Sequence, residues 1–172
     1  MKIEVRELKA SDIENIVNYF IQADAHFLKK MGVEKSKLLK REIWTEHLRS
    51  ELTKPYNEKD YYYIIWLIDN QPIGHSNVNH IVFGKSATMH LYLWKSDMRK
   101  SRLGLRFLKL TIPFHFEKLA LKKVICEPYS ENIAPNRTLK KRGFGLIHTY
   151  TTISVPIDFR QTVNRYELTK EQ

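Results

Sequence analysis

Between Met98 and Phe107 the chain reads MRKSRLGLRF, with Arg99, Lys100, Arg102 and Arg106 gathered around Ser101 and a single glycine, Gly104. Cationic side chains, a hydroxyl and a residue that lets the backbone come close are what a bound anion needs. A pyrophosphate fits that chemistry if the stretch leads into a helix N-terminus, where free N–H groups and the positive end of the helix dipole converge. A solvated helix start would carry the same residues, and so would a nucleic-acid surface. The seven histidines show no metal-ligand spacing.

The elements around the stretch decide among these readings. Upstream, DYYYIIWLIDNQPIGHSNVNHIVFG reads as two strands around the turn DNQP, the first buried on both faces, and SATMHLYLW follows Gly84 as a third antiparallel strand. Downstream, Leu103, Phe107, Leu110 and Phe114 repeat with helical spacing and predict a helix over 103–118, inward along those four, with Pro113 as a kink. KKVICEP then returns as a strand parallel to MHLYLW by a crossover. NIAPNRTLKKRGF reads as a short helix with Asn132 as N-cap, Pro135 in the first turn and Gly143 at C′. The basic stretch is therefore a loop from strand to helix. A nucleic-acid surface would need stacking aromatics, and Phe107 and Phe114 are turned inward, so nucleic acid ranks second.

At the N-terminal end, KIEVREL alternates as a strand, and Asp12 opens a helix whose Ile13, Ile16, Val17 and Phe20 form an apolar face. A more charged helix is expected over 36–52, ended near Pro55. After the short helix, GLIHTYTTIS and TVNRYELT give two further strands joined by VPIDFRQ. No repeat, low-complexity segment or linker interrupts the 172 residues, which predicts one domain over 1–172. A hydrophobic share of 42% and a charged share of 28% exclude the disordered and fibrous classes. Net charge +10 favours an anionic partner without choosing it. MKIEVRELKASD has no apolar core of signal length, no later run suits a membrane span, and Cys126 stands alone. A soluble, cytoplasmic protein is expected.

With strand, basic loop, helix, parallel strand and short helix in this order, the chain resembles the GNAT family of acetyl-CoA-dependent N-acyltransferases. The family loop runs Arg/Gln-x-x-Gly-x-Gly/Ala, and Arg99 and Gly104 match its first and last positions while Arg102 replaces the central glycine. An arginine is accommodated there if its side chain points to solvent and its backbone avoids positive φ. NIAPNRTLKKRGF resembles the family segment N-x-x-S-N-R-V-L-E-K-L-G-F in register at Asn132, Asn136, Leu139, Lys141, Gly143 and Phe144. That pattern is closest to the branch that includes ribosomal-protein N-terminal acetyltransferases. VRELKASD, with Arg6 ahead of Asp12, resembles the family's opening.

The resemblance implies an α/β fold: a mostly antiparallel sheet of about seven strands with a parallel, splayed fourth and fifth pair, flanked by helices. It implies acetyl-CoA as co-substrate, no metal, and transfer of the acetyl group to a primary amine by direct attack in a ternary complex. Backbone groups near Leu93 and Trp94 would bond the pantetheine arm, and an N–H there would stabilise the oxyanion. Arg99, Lys100, Ser101, Arg102, Leu103, Gly104 and Leu105 would hold the pyrophosphate, with Asn132 and Asn136 on the other side. Glu127 takes the place of a family catalytic glutamate and is the leading base, with His90 and His75 as alternatives. No tyrosine acid is found, since Leu139 holds the usual position and Pro135 replaces a serine; Tyr129 and solvent are the remaining donors. Cys126, with no His/acid pair at motif spacing, is set aside as a nucleophile.

The acceptor side would be built from DAHFLKKMGVEKSKLLKREIW and SVPIDFRQTVN, with Phe27, Trp44 and Phe159 as lining. The acceptor amine is left open among an antibiotic, a polyamine, an amino acid and a protein N-terminus, with the excess positive charge arguing against polycationic acceptors; a homodimer is allowed, and no membrane partner is expected. Two other readings stand beside the enzyme: a catalytically weak acyl-CoA-binding module, suggested by Arg102, Pro135 and Leu139, and a basic RNA- or ribosome-associated protein.

Overall fold

A computed structural model describes residues 1–99 and 102–171. The chain folds as β1 (Ile3–Glu7), α1 (Ile13–Ile21), α2 (Ala25–Lys30), α3 (Arg41–Thr53), β2 (Tyr62–Ile68), β3 (Gln71–Val82), β4 (Ser86–Leu93), α4 (Leu103–Lys118), β5 (Lys123–Cys126), α5 (Ile133–Arg142), β6 (Gly145–Thr152) and β7 (Gln161–Thr169). The seven strands form one sheet in the order β1-β2-β3-β4-β5-β7-β6. Only β4 and β5 pair in parallel, as a strand, crossover helix and strand require.

Strand alternation gives the sheet two buried faces. On β2, Tyr62, Ile64 and Trp66 point to one side, where α4 and α5 add Phe107, Leu108, Ile112 and Leu139. Trp66 stacks on Phe107 with centroids 5.0 Å apart and donates its indole N–H to Thr111 at 2.9 Å. Tyr63, Ile65 and Leu67 point to the other side, against Ile13, Ile16, Val17 and Phe20 of α1 and Trp44 and Leu48 of α3. Arg6 clasps the buried Asp12 through two hydrogen bonds of 2.6 and 2.9 Å, which ties β1 to the start of α1.

Several expectations shift. The charged helix starts at Arg41 instead of near residue 36, because the chain from Leu38 to Lys40 is extended. The short α2 was not foreseen, although Asp24 caps it by accepting from the Phe27 N–H at 2.8 Å. The turn DNQP tightens to Asp69 and Asn70, both at positive φ, while Gln71 and Pro72 belong to β3. Along α4 the buried stripe runs Leu103, Phe107, Leu108, Thr111, Ile112, His115 and Phe116; Leu110 is exposed and Phe114 only half-buried. Helical spacing at 3.6 residues per turn puts 110 and 111 on different sides of the stripe boundary, and the hydroxyl needed by Trp66 takes the inner place. Pro113 does not end the helix.

β3 and β4 approach closely at Gly74. A Cβ built there would lie 2.5 Å from the Tyr92 carbonyl oxygen, 3.2 Å from Trp66 and 3.3 Å from the Leu93 Cα. Gly74→Ala is therefore expected to cost ~2–3 kcal/mol by overpacking against backbone that cannot step aside, measured by urea denaturation.

Candidate active site

Parallel pairing of β4 with β5 covers only Ser86 with Lys123, Ala87 with Val124 and Thr88 with Ile125. Beyond that point β4 stays with β3 as far as Leu93 opposite Gly74, while β5 follows β7. The strands part, and the residues after the last pair, from Met89 to Tyr92 on one wall and from Cys126 to Tyr129 on the other, line a cleft of ≈ 100 Å³.

The direction of the β4 backbone groups follows from one bond. The Trp94 N–H donates to the Ile73 carbonyl at 2.9 Å, so the residues in phase with it, Tyr92 and His90, also turn their backbone toward β3. Leu91 and Leu93 turn theirs the other way, toward the cleft; the Leu93 carbonyl accepts from Arg99 Nε at 3.3 Å on that side. Of the expected pair, Leu93 faces the opening, while Trp94 spends its amide inside the sheet and its indole N–H on His75 Nδ1 at 2.9 Å. Leu91 is the residue that sequence reasoning passed over, and the alternation along β4 would have found it.

Glu127 stands at the foot of the cleft, its side chain 10% exposed. Its Oε1 accepts from the Tyr150 hydroxyl and, at 3.1 Å, from Arg165 Nη1. Among the described residues its Oε2 has only Ser154 at 3.5 Å, so it is the oxygen left to meet a ligand. Arg165 is held in turn by Glu167, which also pairs with Lys123 at 2.9 Å. Tyr150 and Arg165 come from β6 and β7, too far along the chain for a motif to have shown them.

The two histidines are weak proton acceptors. Loss of water pulls His75 down to about 3 and, with help from His80, His90 down to about 4. His75 Nδ1 accepts from Trp94, so its proton is on Nε2. His90 lines the cleft with Nε2 3.0 Å from Asn79 Oδ1. Cys126 is 2% exposed, and burial raises its thiol, which keeps it protonated.

Asn136 is also spoken for. Its Nδ2 donates to the carbonyls of Tyr129 at 3.0 Å and Asn132 at 2.8 Å, and its Oδ1 accepts from Asn164 at 2.8 Å. It shapes the turn before α5, and Asn132, Pro135 and Leu139 line the cleft beside it. Tyr129 lines the same wall, donates to Glu131 at 3.0 Å and packs edge-on against Phe159.

Of the basic loop, Lys100 and Ser101 lie outside the described residues. Arg99 sits with its guanidinium 4.2 Å over the Phe27 ring, joining the loop to α2. Arg102 precedes α4 at φ 59°, ψ 10°, so its backbone does not meet the condition of avoiding positive φ, although its side chain is exposed. The turn into α4 needs a left-handed residue, and an exposed arginine provides it at a cost of ~1–2 kcal/mol. Leu103 is buried as the first core residue of α4. Among the described residues, a Cβ on Gly104 would meet only Thr138 at 3.9 Å. Without a side chain Gly104 adds no bulk of its own beside the first-turn N–H groups of α4, the kind of helix start that suits a bound phosphate.

The two segments expected to flank the acceptor are laced together. Glu34 N–H donates to Ile157 at 2.8 Å, Phe159 N–H to Gly32 at 3.2 Å, and Gln161 Nε2 to Gly32 at 2.9 Å. This lacing sets Asp158 into the cleft wall at 9% exposure. Burial raises its carboxyl to about 7, against a backbone hydrogen bond from Val155 and the more distant charge of Lys37. Trp44 packs on Phe20 in the helix layer instead of lining the cleft.

A family model described as an acetyltransferase (GNAT) domain matches residues 2–145. A search of the curated proteins gave no match. Among solved structures, the ribosomal-protein-S5-alanine acetyltransferase from Vibrio fischeri is similar with a TM-score of 0.79 at 18% identity, covering 100% of this chain and 95% of that one. A spermidine N-acetyltransferase from Vibrio cholerae in complex with CoA and spermine gives 0.79 at 14% identity, over 98% of this chain and 96% of that one. The aminoglycoside acetyltransferase AAC(6')-Ib in complex with coenzyme A gives 0.76 at 14% identity, over 99% and 96%. At such identities the likeness is one of fold.

Two measurements test this geometry. Arg102→Gly should raise stability by about 0.5–1 kcal/mol, because glycine adopts the left-handed turn without the Cβ penalty; matched urea melts report it. Asp158 keeps its proton in the folded state to about pH 7, whereas the unfolded chain releases it near 3.8. Its contribution is therefore complete below about pH 4 and lost as pH rises through 7. Relative to Asp158→Asn, the wild type should lose stability between about pH 4 and pH 7, on the order of 4 kcal/mol at most, and level off above that, in denaturation curves taken across that range.

Proposed function

The chain belongs to the GNAT acetyltransferase family, and from that premise we propose that the opening between β4 and β5 takes the acyl-pantetheine end of acetyl-CoA while the acceptor amine meets Glu127. The observation that carries this reading is the end of pairing at Thr88 and Ile125, which turns the backbone of Leu91 and Leu93 to the cleft. We take residues 1–172 as one such domain; β7, beyond the matched residues, supports this by pairing with β5 in the same sheet.

Acetyl-CoA supplies the acetyl thioester. Leu91 and Leu93 offer N–H and C=O at the spacing of a sheet edge, and such an edge binds an extended amide-bearing chain as an added strand. An N–H of that edge donates to the oxygen on which charge develops during attack. The first turn of α4, cleared by Gly104 and flanked by Arg102 and Arg106, receives the pyrophosphate. Arg99 joins them by leaving the Phe27 ring, or stays to hold α2 against the loop.

A primary amine attacks only as the neutral base. Glu127 takes its proton at Oε2, directly or through water, while Tyr150 and Arg165 fix the carboxylate through Oε1. Cys126 stays inert, so the amine attacks the acetyl carbon itself. The bond to Glu131 raises the Tyr129 hydroxyl, so solvent returns the proton to the departing thiolate. A cytoplasmic setting fits the one buried, free cysteine.

Glu127→Gln keeps the shape of the cleft and removes the proton acceptor. With acetyl-CoA consumption followed on a panel of primary amines, kcat should fall about 10²- to 10⁴-fold, while the Kd for acetyl-CoA by calorimetry stays within threefold. An unchanged kcat would remove Glu127 from the reaction, and absence of acetyl-CoA binding would remove the cofactor site.

A further inference from the structure

In a chain with 29 lysines and arginines against 19 acids, the cleft is lined by two carboxylates, Glu127 and Asp158, and by no lysine or arginine among the described residues. Glu127 is committed on one oxygen to Arg165 and Tyr150. Asp158 is different. It is nine-tenths buried and makes no side-chain ion pair among the described residues. The nearest cation in play, Lys37, gives its ammonium to the Asp158 backbone carbonyl at 2.9 Å and to Glu34 at 3.1 Å.

A carboxyl set into a cavity wall without a cation is destabilised when ionised, and an ammonium brought in by a ligand relieves that. Its surroundings suit such a guest. Tyr92 and Tyr129 line the same cleft, and aromatic faces attract cations where water is excluded. The hydrogen bonds to Gly32 from Phe159 and Gln161 and from Glu34 to Ile157 fix the backbone that carries Asp158. A Cβ on Gly32, at φ 86°, would fall 2.2 Å from Gln161 Oε1, so the junction is tightly fitted.

We propose that Asp158 is the acceptor-binding residue of this cleft, and that the acceptor is an amine bearing a second cationic group, which Asp158 holds while the reacting amine stands at Glu127. This rests on the acetyltransferase reading above and names the acceptor class for the same site. The elevated carboxyl of Asp158 fits the role, since a bound ammonium favours the ionised form. Acidic acceptors are excluded by the same two carboxylates.

The test uses the whole protein with saturating acetyl-CoA and three sets of probes: α,ω-diaminoalkanes of different lengths, the matching monoaminoalkanes, and 4-aminobutanoate. The wild type should prefer at least one diamine over its monoamine by tenfold or more in kcat/KM, with 4-aminobutanoate the poorest. Asp158→Asn should bring the diamine-to-monoamine ratio within about threefold, mainly through KM; its acetyl-CoA Kd, measured alongside, shows that the fold and cofactor site are intact. Equal use of diamines and monoamines by the wild type overturns the proposal, independently of any variant. So does a preference that survives in Asp158→Asn, or bound acetyl-CoA with no turnover of any probe. Failure to bind acetyl-CoA at all would instead fell the acetyltransferase reading, and this assignment with it.

Discussion

The structure turns on the point where β4 and β5 stop pairing. Three residue pairs hold the strands together, after which each follows its outer neighbour. A sheet is cohesive because every interior strand spends its backbone groups on both sides, and here one strand is given an edge inside the sheet. β4 can hold that edge because β3 supports it along its full length, with Gly74 admitting the Tyr92 carbonyl and Ile73 taking the Trp94 amide. β5 can turn away because β7 pairs with all of it.

Charge is sorted across this opening. Among the described residues, Arg99, Arg102 and the basic residues of α5 are not part of the cleft lining, whereas Glu127 and Asp158 are. Glu127 is tied into a chain of ion pairs running through Arg165 and Glu167 to Lys123, which spans β5 and β7 and fixes one carboxylate oxygen while freeing the other. Asp158 is placed by the hydrogen bonds that lace its segment to Gly32 and Glu34. One acid is steadied by neighbouring charge and the other is not, and that difference suits one to proton transfer and the other to holding a cation.

Residue type foretold role unevenly. Asn136, His75 and Trp94 have side chains that could contact a ligand, and in the fold each is consumed by internal hydrogen bonds or burial. Arg99 belongs to the loop by sequence and to the Phe27 ring by contact. Arg102 takes a left-handed backbone at the position where the family pattern has glycine.

Local periodicity and punctuation in the sequence determined the seven strands, the helices α1, α4 and α5, and the Gly143 cap, but not the short α2 or the start of α3; Glu127 was marked by the family resemblance. Each of those elements depends on neighbours within a turn of helix or a run of strand, where spacing alone chooses the buried face. Tertiary structure decided which backbone groups face the cleft, which oxygen of Glu127 is left over, and that Asp158 is buried without a side-chain ion pair, both among the described residues. Those depend on strand register and on segments brought together from afar: Tyr150 and Arg165 reach Glu127 from 23 and 38 residues away, and Gln161 reaches Gly32 across 129. No local pattern encodes a distance of that kind; packing of the whole sheet and its helices sets it.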